Sequence, residues 1–175
     1  MVFYAEKKYS IPEGLFRTPS VKIEIYCDTL KAAGFDPLPS YLEPERGPKR
    51  GNSSFRKKYP LILSVGNRNL YYTHSQHRGV GKLKAIYPEG LTELGPETAA
   101  LYGIEDGDTI QVESNRGRVT MKARVDERVA EGVVLVPHGW GGDANGNLLT
   151  DVNCREPIMG YPDQKSLQCA ISRYR

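Results

Sequence analysis

The chain has 175 residues, 39% hydrophobic and 26% charged, with a formal net charge of +3. That length supports one domain with a real core and an extended arm, and the composition is that of an ordinary globular protein. No stretch approaches the roughly 20 apolar residues that span a bilayer, and Met1 to Ser10, with its charges and tyrosines, lacks the apolar run of a secretory signal.

The first predicted element is a strand at Lys22-Ile23-Glu24-Ile25-Tyr26, where apolar and polar residues alternate. Asp28 is a helix N-cap residue by type, and it predicts a short helix ending at Gly34. Pro37 to Lys58, punctuated by Pro37, Pro39, Pro44 and Pro48 and then basic, reads as a surface connection. Residues 1–58 are therefore expected to form an arm and linker, and residues 59–175 the compact domain.

That domain opens with Pro60-Leu61-Ile62-Leu63-Ser64-Val65, an apolar run suited to a strand buried on both faces. A Gly-rich polar loop follows, then a short strand at Leu91 to Leu94. Pro96 starts a helix through Tyr102, with Gly103 as its stop. Thr109 to Ser114 and Val119 to Val125 alternate as strands, joined by Asn115-Arg116-Gly117 in hairpin fashion. In the second strand Val119, Met121, Ala123 and Val125 share one face. Val133 to Val136 is a further buried strand, Gly139 to Asn147 a glycine-rich loop, and Ser166 to Ser172 the closing strand. Many short strands with one or two short helices predict a mainly β fold, a small barrel.

Charge is unevenly placed. Arg46 to Lys84 holds ten Lys or Arg and no Asp or Glu, whereas Glu89 to Glu131 holds ten acids against five bases. A local positive field draws phosphates to a chain that is not basic overall. Within that field, Gly66-Asn67-Arg68-Asn69 follows a strand. Gly66 permits close backbone approach, Arg68 can fork onto phosphate, and the two Asn amides both donate and accept.

His74, Ser75, Gln76, His77 and Arg78 form a dense run of hydrogen-bonding side chains. Their spacing allows His74 and His77 to share one face of a helical turn. A zinc site would need more ligands than these, and no metal site is predicted. The cysteines Cys27, Cys154 and Cys169 are too far apart in sequence for a zinc or iron–sulfur motif and read as free thiols.

Phe16-Arg17-Thr18-Pro19-Ser20-Val21-Lys22-Ile23-Glu24-Ile25-Tyr26 resembles the segment that leads into the last domain of the molybdopterin oxidoreductases. That superfamily includes formate dehydrogenases, polysulfide and thiosulfate reductases, and acetylene hydratase. Val21 stands where the family usually has Gly. Tyr59-Pro60-Leu61-Ile62-Leu63 resembles the first strand of the molybdopterin dinucleotide-binding domain, and Tyr72 to Arg78 its cofactor-contacting loop. Leu94 to Ala100 and Gly103 to Asp108 are similar to its helix and the turn into its hairpin, although Gly95 departs from the usual polar residue. His138-Gly139-Trp140, Asn147 to Asp151 and Asp163 to Cys169 complete the series in family order.

The resemblance implies a double-psi β-barrel that binds molybdopterin guanine dinucleotide, two of which hold molybdenum or tungsten in the intact enzymes. Such a ligand needs cations or backbone N–H groups for its pyrophosphate and paired polar groups for its ring edges. The implied contacts are Gly66, Asn67, Arg68, His74, Ser75, Gln76, His77, Arg78, His138, Trp140, Asn147, Thr150, Asn153 and Lys165. Trp140 is read either as a cofactor contact or as packing at the barrel mouth. The metal's protein ligand and the iron–sulfur cysteines belong to other domains of the family, so no catalytic residue is expected here and no turnover by this chain alone. The implied partners are the rest of a catalytic subunit and an iron–sulfur electron-transfer protein. The compartment, cytoplasmic or exported, is left open.

Two other readings stand beside it. A hydrolase would use His74, His77 or His138 as base, but no serine or cysteine sits in a nucleophile context. A nucleic-acid-binding or protein-interaction barrel would use the basic residues 46–84, with Tyr71, Tyr72 and Tyr87 as stacking surfaces.

Overall fold

A computed structural model describes residues 16, 18–38, 40–41, 53–155, 160–165 and 167–174. Residues 42–52 of the expected Pro37 to Lys58 connection, residues 1–15 and Ser166 of the expected closing strand lie outside them. Two compact units divide at Leu42/Glu43.

In the first unit the helix α1 spans Asp28–Ala32. Its N-cap is Cys27, not Asp28, which lies inside the first turn and sets a carboxylate against the positive end of the helix. Gly34 follows at φ +83°, and Phe35 N–H closes onto Leu30 O at 2.9 Å. The strand expected at Lys22 to Tyr26 does not form. Its alternation buries neither face: Ile23 is 69% and Ile25 78% exposed.

In the second unit the end of the basic connection is helical. Helix α2 spans Ser53–Lys58 and packs on the closing strand of the barrel. Phe55 and Tyr59 rings meet at 5.2 Å between centroids, and the buried Tyr59 donates its hydroxyl to Glu113.

Six strands follow: β1 (Leu61–Asn67), β2 (Leu91–Leu94), β3 (Thr109–Glu113), β4 (Arg118–Val125), β5 (Val133–Pro137) and β6 (Leu167–Arg173). They close into a barrel in the order β1-β5-β2-β4-β3-β6. The pairs β1/β5 and β2/β4 are parallel and the rest antiparallel. Two parallel pairs within a closed six-stranded barrel are what the expected double-psi barrel requires.

Closure explains one difference from the sequence reading. The run from Leu61 to Val65 is apolar on both faces, yet it alternates: Leu61, Leu63 and Val65 are buried while Ile62 and Ser64 are half-buried. A small barrel has only one interior, so the second face lies outside. Inside, Leu63, Val65, Leu94, Ile110, Val112, Val119, Val134, Val136 and Cys169 are fully buried and fill the space. Met121 and Ala123 join them as predicted, while Val125 is only partly buried.

Helix α3 (Gly81–Ile86), which lies in a stretch expected to be loop, and helix α4 (Pro96–Leu101) complete the unit. Register then defines two ends. The C-termini of β1, β3 and β5 and the N-termini of β2, β4 and β6 lie at one end. Helix α4 leaves β2 at the other.

Candidate functional site

The loops after β1 and β5 and the segment before β6 all emerge at the same end of the barrel. At the end of β1 the register slips between Val65 and Asn67, and Gly66 adopts φ +99°. Any Cβ on Gly66 would overlap the His138 imidazole, so this glycine makes room for the ring in a backbone conformation that side chains resist. His138 N–H donates to Asn67 O at 3.2 Å, which fixes the start of the β5 loop on the end of β1.

The imidazole of His138 meets that of His74 at 4.8 Å between centroids. Burial, then the proximity of His74, Arg68 and Lys165, pushes the pKa of His138 below the usual imidazole value. Burial and the nearby Arg68 and Lys165 thus disfavour the protonated form of this ring. A dianionic phosphate entering that cluster would meet Arg68, whose guanidinium makes no hydrogen bond or ion pair among the described residues. Lys165 donates from Nζ to Ser64 Oγ at 2.9 Å, which holds its ammonium at the edge of the same group.

His74 and His77 do not share a helical turn. They sit at φ +55° and +69° in successive tight turns closed by Gln76 N–H to Thr73 O and Val80 N–H to His77 O. The left-handed residues re-aim the chain, and both imidazoles still line one cleft of about 250 Å³ with Arg68. Gly139, at φ +77°, lies against the backbone of His74 and Ser75, where a Cβ would clash. Ser75 and Gln76 are exposed.

Trp140 packs at the rim. Its ring approaches Tyr72 at 6.0 Å and Tyr87 at 6.3 Å, and a Cβ at Gly90 would come within 3.0 Å of it. The Tyr72 hydroxyl donates to Tyr87 O at 2.6 Å. Arg78 lies 4.6 Å over the indole, which holds its guanidinium at the rim by a cation–π contact.

Asn67 is partly committed already: its side-chain amide donates to Glu93 at 2.6 Å. Asn69 accepts the N–H groups of Tyr71 and Tyr72 at 2.9 and 2.8 Å and thereby shapes the loop.

Asn147, Thr150 and Asn153 occupy another arc of the same end, beside the β3–β4 turn. The 3-10 turn Gly146–Leu149 drops Leu149 into the core, and Leu149 O accepts from Ser114 Oγ at 3.0 Å. Thr150 donates to Asn147 O, and Asn153 N–H to Asp151. Asp151, buried, also pairs with Arg116 at 3.7 Å. The side chains of Asn147 and Asn153 are exposed.

The structure thus gathers Gly66, Arg68, His74, His77, His138 and Lys165 in one cluster, with Arg78 and Trp140 flanking it. Sequence reasoning missed Gly90, Tyr72, Tyr87 and Glu93 as supports of that cluster. Gly90, between two ordinary residues, looks like any turn glycine until the indole is seen against it.

Residues 61–167 match the family model described as the molydopterin dinucleotide binding domain. The chain belongs to this family. It is 36% identical over 169 residues to the dopamine dehydroxylase of Eggerthella lenta, covering 88% of the chain and 16% of that protein. It is 35% identical over 144 residues to the acetylene hydratase of Syntrophotalea acetylenica, covering 81% of the chain and 20% of that protein. Among solved structures, acetylene hydratase from Pelobacter acetylenicus superposes with a TM-score of 0.81 at 28% identity, over 95% of this chain and 25% of that one. The chain thus spans a quarter or less of the length of these relatives. Neither the comparisons nor the rim geometry supports a nucleic-acid or protein-interaction module.

The residues present fit the cofactor of the family. Gly66 makes room for the His138 ring at the strand end, and Arg68 and Lys165 are cations of the kind a diphosphate would need, beside an imidazole that could serve a ring edge. Among the described residues no group of three or more His, Cys, Asp or Glu could hold a metal ion. No helix among them is long and apolar enough to cross a membrane.

Proposed function

We propose that this molybdopterin dinucleotide-binding domain serves a larger molybdenum or tungsten oxidoreductase, and that it grips the guanine dinucleotide at the barrel rim. The observation that carries the reading is the convergence of Arg68, His74, His77, His138 and Lys165 around Gly66 at the end of β1 and β5. Arg68 and Lys165 hold phosphate, His74 and His77 face the ligand from the facing loop, and His138 presents its ring. Trp140 positions Arg78. Ser75, Gln76, Asn147, Thr150 and Asn153 supply polar contacts from the rest of the rim, and Asn67 orders the strand end through Glu93.

When bound, the metal and its dithiolenes supply the redox chemistry. This chain's residues bind and orient the cofactor and contribute no catalytic side chain. The metal's protein ligand, the remaining pterin contacts and an iron–sulfur electron partner come from the rest of the enzyme, so the chain alone shows no turnover. The size of the relatives beside this chain supports that division of labour.

The test is the Arg68→Gln/His77→Ala double variant of the intact enzyme, with metal and pterin content measured after purification. Charge-assisted hydrogen bonds contribute about 1.5–3 kcal/mol each, so cofactor content at limiting supply falls at least tenfold while the circular dichroism melt is unchanged. Wild-type content in this variant would sink the proposal.

A further inference from the structure

The loop between β1 and α3 is strained, anchored at one end and open at the other. His74 and His77 sit at φ +55° and +69°, a conformation that disfavours any residue with a Cβ. They belong to the segment Thr73 to Arg78. On its near side Tyr72 is buried and its hydroxyl donates to Tyr87 O. On its far side Gly79 and Gly81 have open space where a side chain would stand. Backbone strain persists only where surrounding contacts hold it.

The contacts that hold this segment across the rim come from the β5 loop. A Cβ at Gly139 would strike the backbone of His74 and Ser75, so the two loops meet main chain to main chain. The His74 and His138 rings lie 4.8 Å apart, and Arg78 lies 4.6 Å over Trp140. These are meetings of base with base or base with ring. His138 feels His74 from the β1–α3 loop, Arg68 from the end of β1 and Lys165 from the segment before β6. Asp163, on that last segment, accepts the Lys165 N–H, and burial pushes its own carboxyl up. A proton added to the His138 ring therefore meets like charge from three elements.

We propose that Thr73 to Arg78 is an acid-released flap, closed on the β5 loop by the His74–His138 and Arg78–Trp140 contacts and let go when His138 takes up a proton. The sign follows from linkage. Burial and the neighbouring bases hold the closed-state value of His138 below the ordinary one, and opening returns it toward about 6.5. The open form thus binds more protons. The closed form is favoured above that pH and loses ground below it, by up to about tenfold per pH unit for one proton. Because the flap walls the cleft of about 250 Å³ lined by Arg68, His74 and His77, its release opens that cleft. The flap is a property of the chain itself, independent of what the rim holds.

Trp140 is the only tryptophan of the chain, and Arg78 covers its ring, so its emission reports the flap. The test follows that emission from about pH 8 to about pH 5 in the full chain produced without cofactor, beside the imidazole proton resonances. A red shift is expected below about pH 6.5, with the midpoint of the His138 titration and an unchanged far-UV circular dichroism spectrum. His138→Gln cannot take up the proton, and its emission stays level over the same range. His74→Asn retains a residue that tolerates positive φ and removes both a contact and a like charge, so its red shift moves to higher pH. A level wild-type emission, a red shift that persists in His138→Gln, or a shift to lower pH in His74→Asn overturns the flap. None of these results touches the rim grip, which the cofactor content of the Arg68/His77 variant decides separately.

Discussion

Gly66 shapes the rim without a side chain. At φ +99° an L-residue is strained, and a Cβ there would overlap the His138 ring. Gly66→Ala must therefore move the imidazole, and with it the group that the His138 backbone ties to Asn67. We expect a loss of about 1–3 kcal/mol in stability together with at least a tenfold drop in cofactor content, measured by pterin fluorescence and elemental analysis. Gly34 supplies the control. It has φ +83°, but a Cβ there meets nothing within 4 Å, so Gly34→Ala strains the backbone and leaves cofactor content intact. If both variants load alike, the cradle around His138 is not what holds the ligand.

At the scale of elements, every barrel strand was legible because each shows an apolar face at period two or a short apolar run between turn signals. Lys22 to Tyr26 shows the same alternation and fails as a strand, since Ile23 and Ile25 have no interior to face. Helix α3, with Gly81 at its start and no side-chain cap, offers too little pattern in six residues to be seen. The rim residues were legible as motif residues of a family. Their supports were not, because the Asn67–Glu93 bond and the Gly90–Trp140 contact join residues far apart in sequence. Helix α4 makes a similar long-range link that can be tested. Thr98, 1% exposed, accepts the Gly132 N–H at 2.8 Å and so ties the helix to the turn entering β5. Thr98→Val keeps the shape and removes the acceptor, leaving that N–H part-buried and unpaired. The expected cost is about 1–3 kcal/mol, seen as a lower urea midpoint with an unchanged slope. Because α4 lies at the end opposite the rim, cofactor content stays at the wild-type level; a selective loss of cofactor would contradict the assignment of the two ends.

For the molecule as a whole, closure of the barrel depends on β6, which pairs with both β1 and β3 and leaves neither strand with a bare edge. Cys169 sits on this strand opposite Leu61 and is fully buried in the core. Burial pushes its thiol up to about 12, so at neutral pH it is neither ionised nor reachable. Thiolate is the reacting form, and local fraying of the rim does not expose a residue locked between two partner strands. Alkylation of Cys169 therefore requires opening of the barrel and should follow global stability. Cys27 and Cys154 are only partly buried. Under native conditions two of the three thiols are expected to react readily with iodoacetamide. Cys169 should lag by about a thousandfold or more, as expected for a domain stable by 5 kcal/mol or above. Mild urea that leaves the midpoint distant should speed Cys169 in proportion to the fraction unfolded and leave the other two unchanged. Peptide mapping of the modified sites over time distinguishes them. Rapid labelling of Cys169 in the folded protein would mean that the β1–β6 seam opens independently of the rest, and the barrel would then be closed in topology but not in cooperative unfolding.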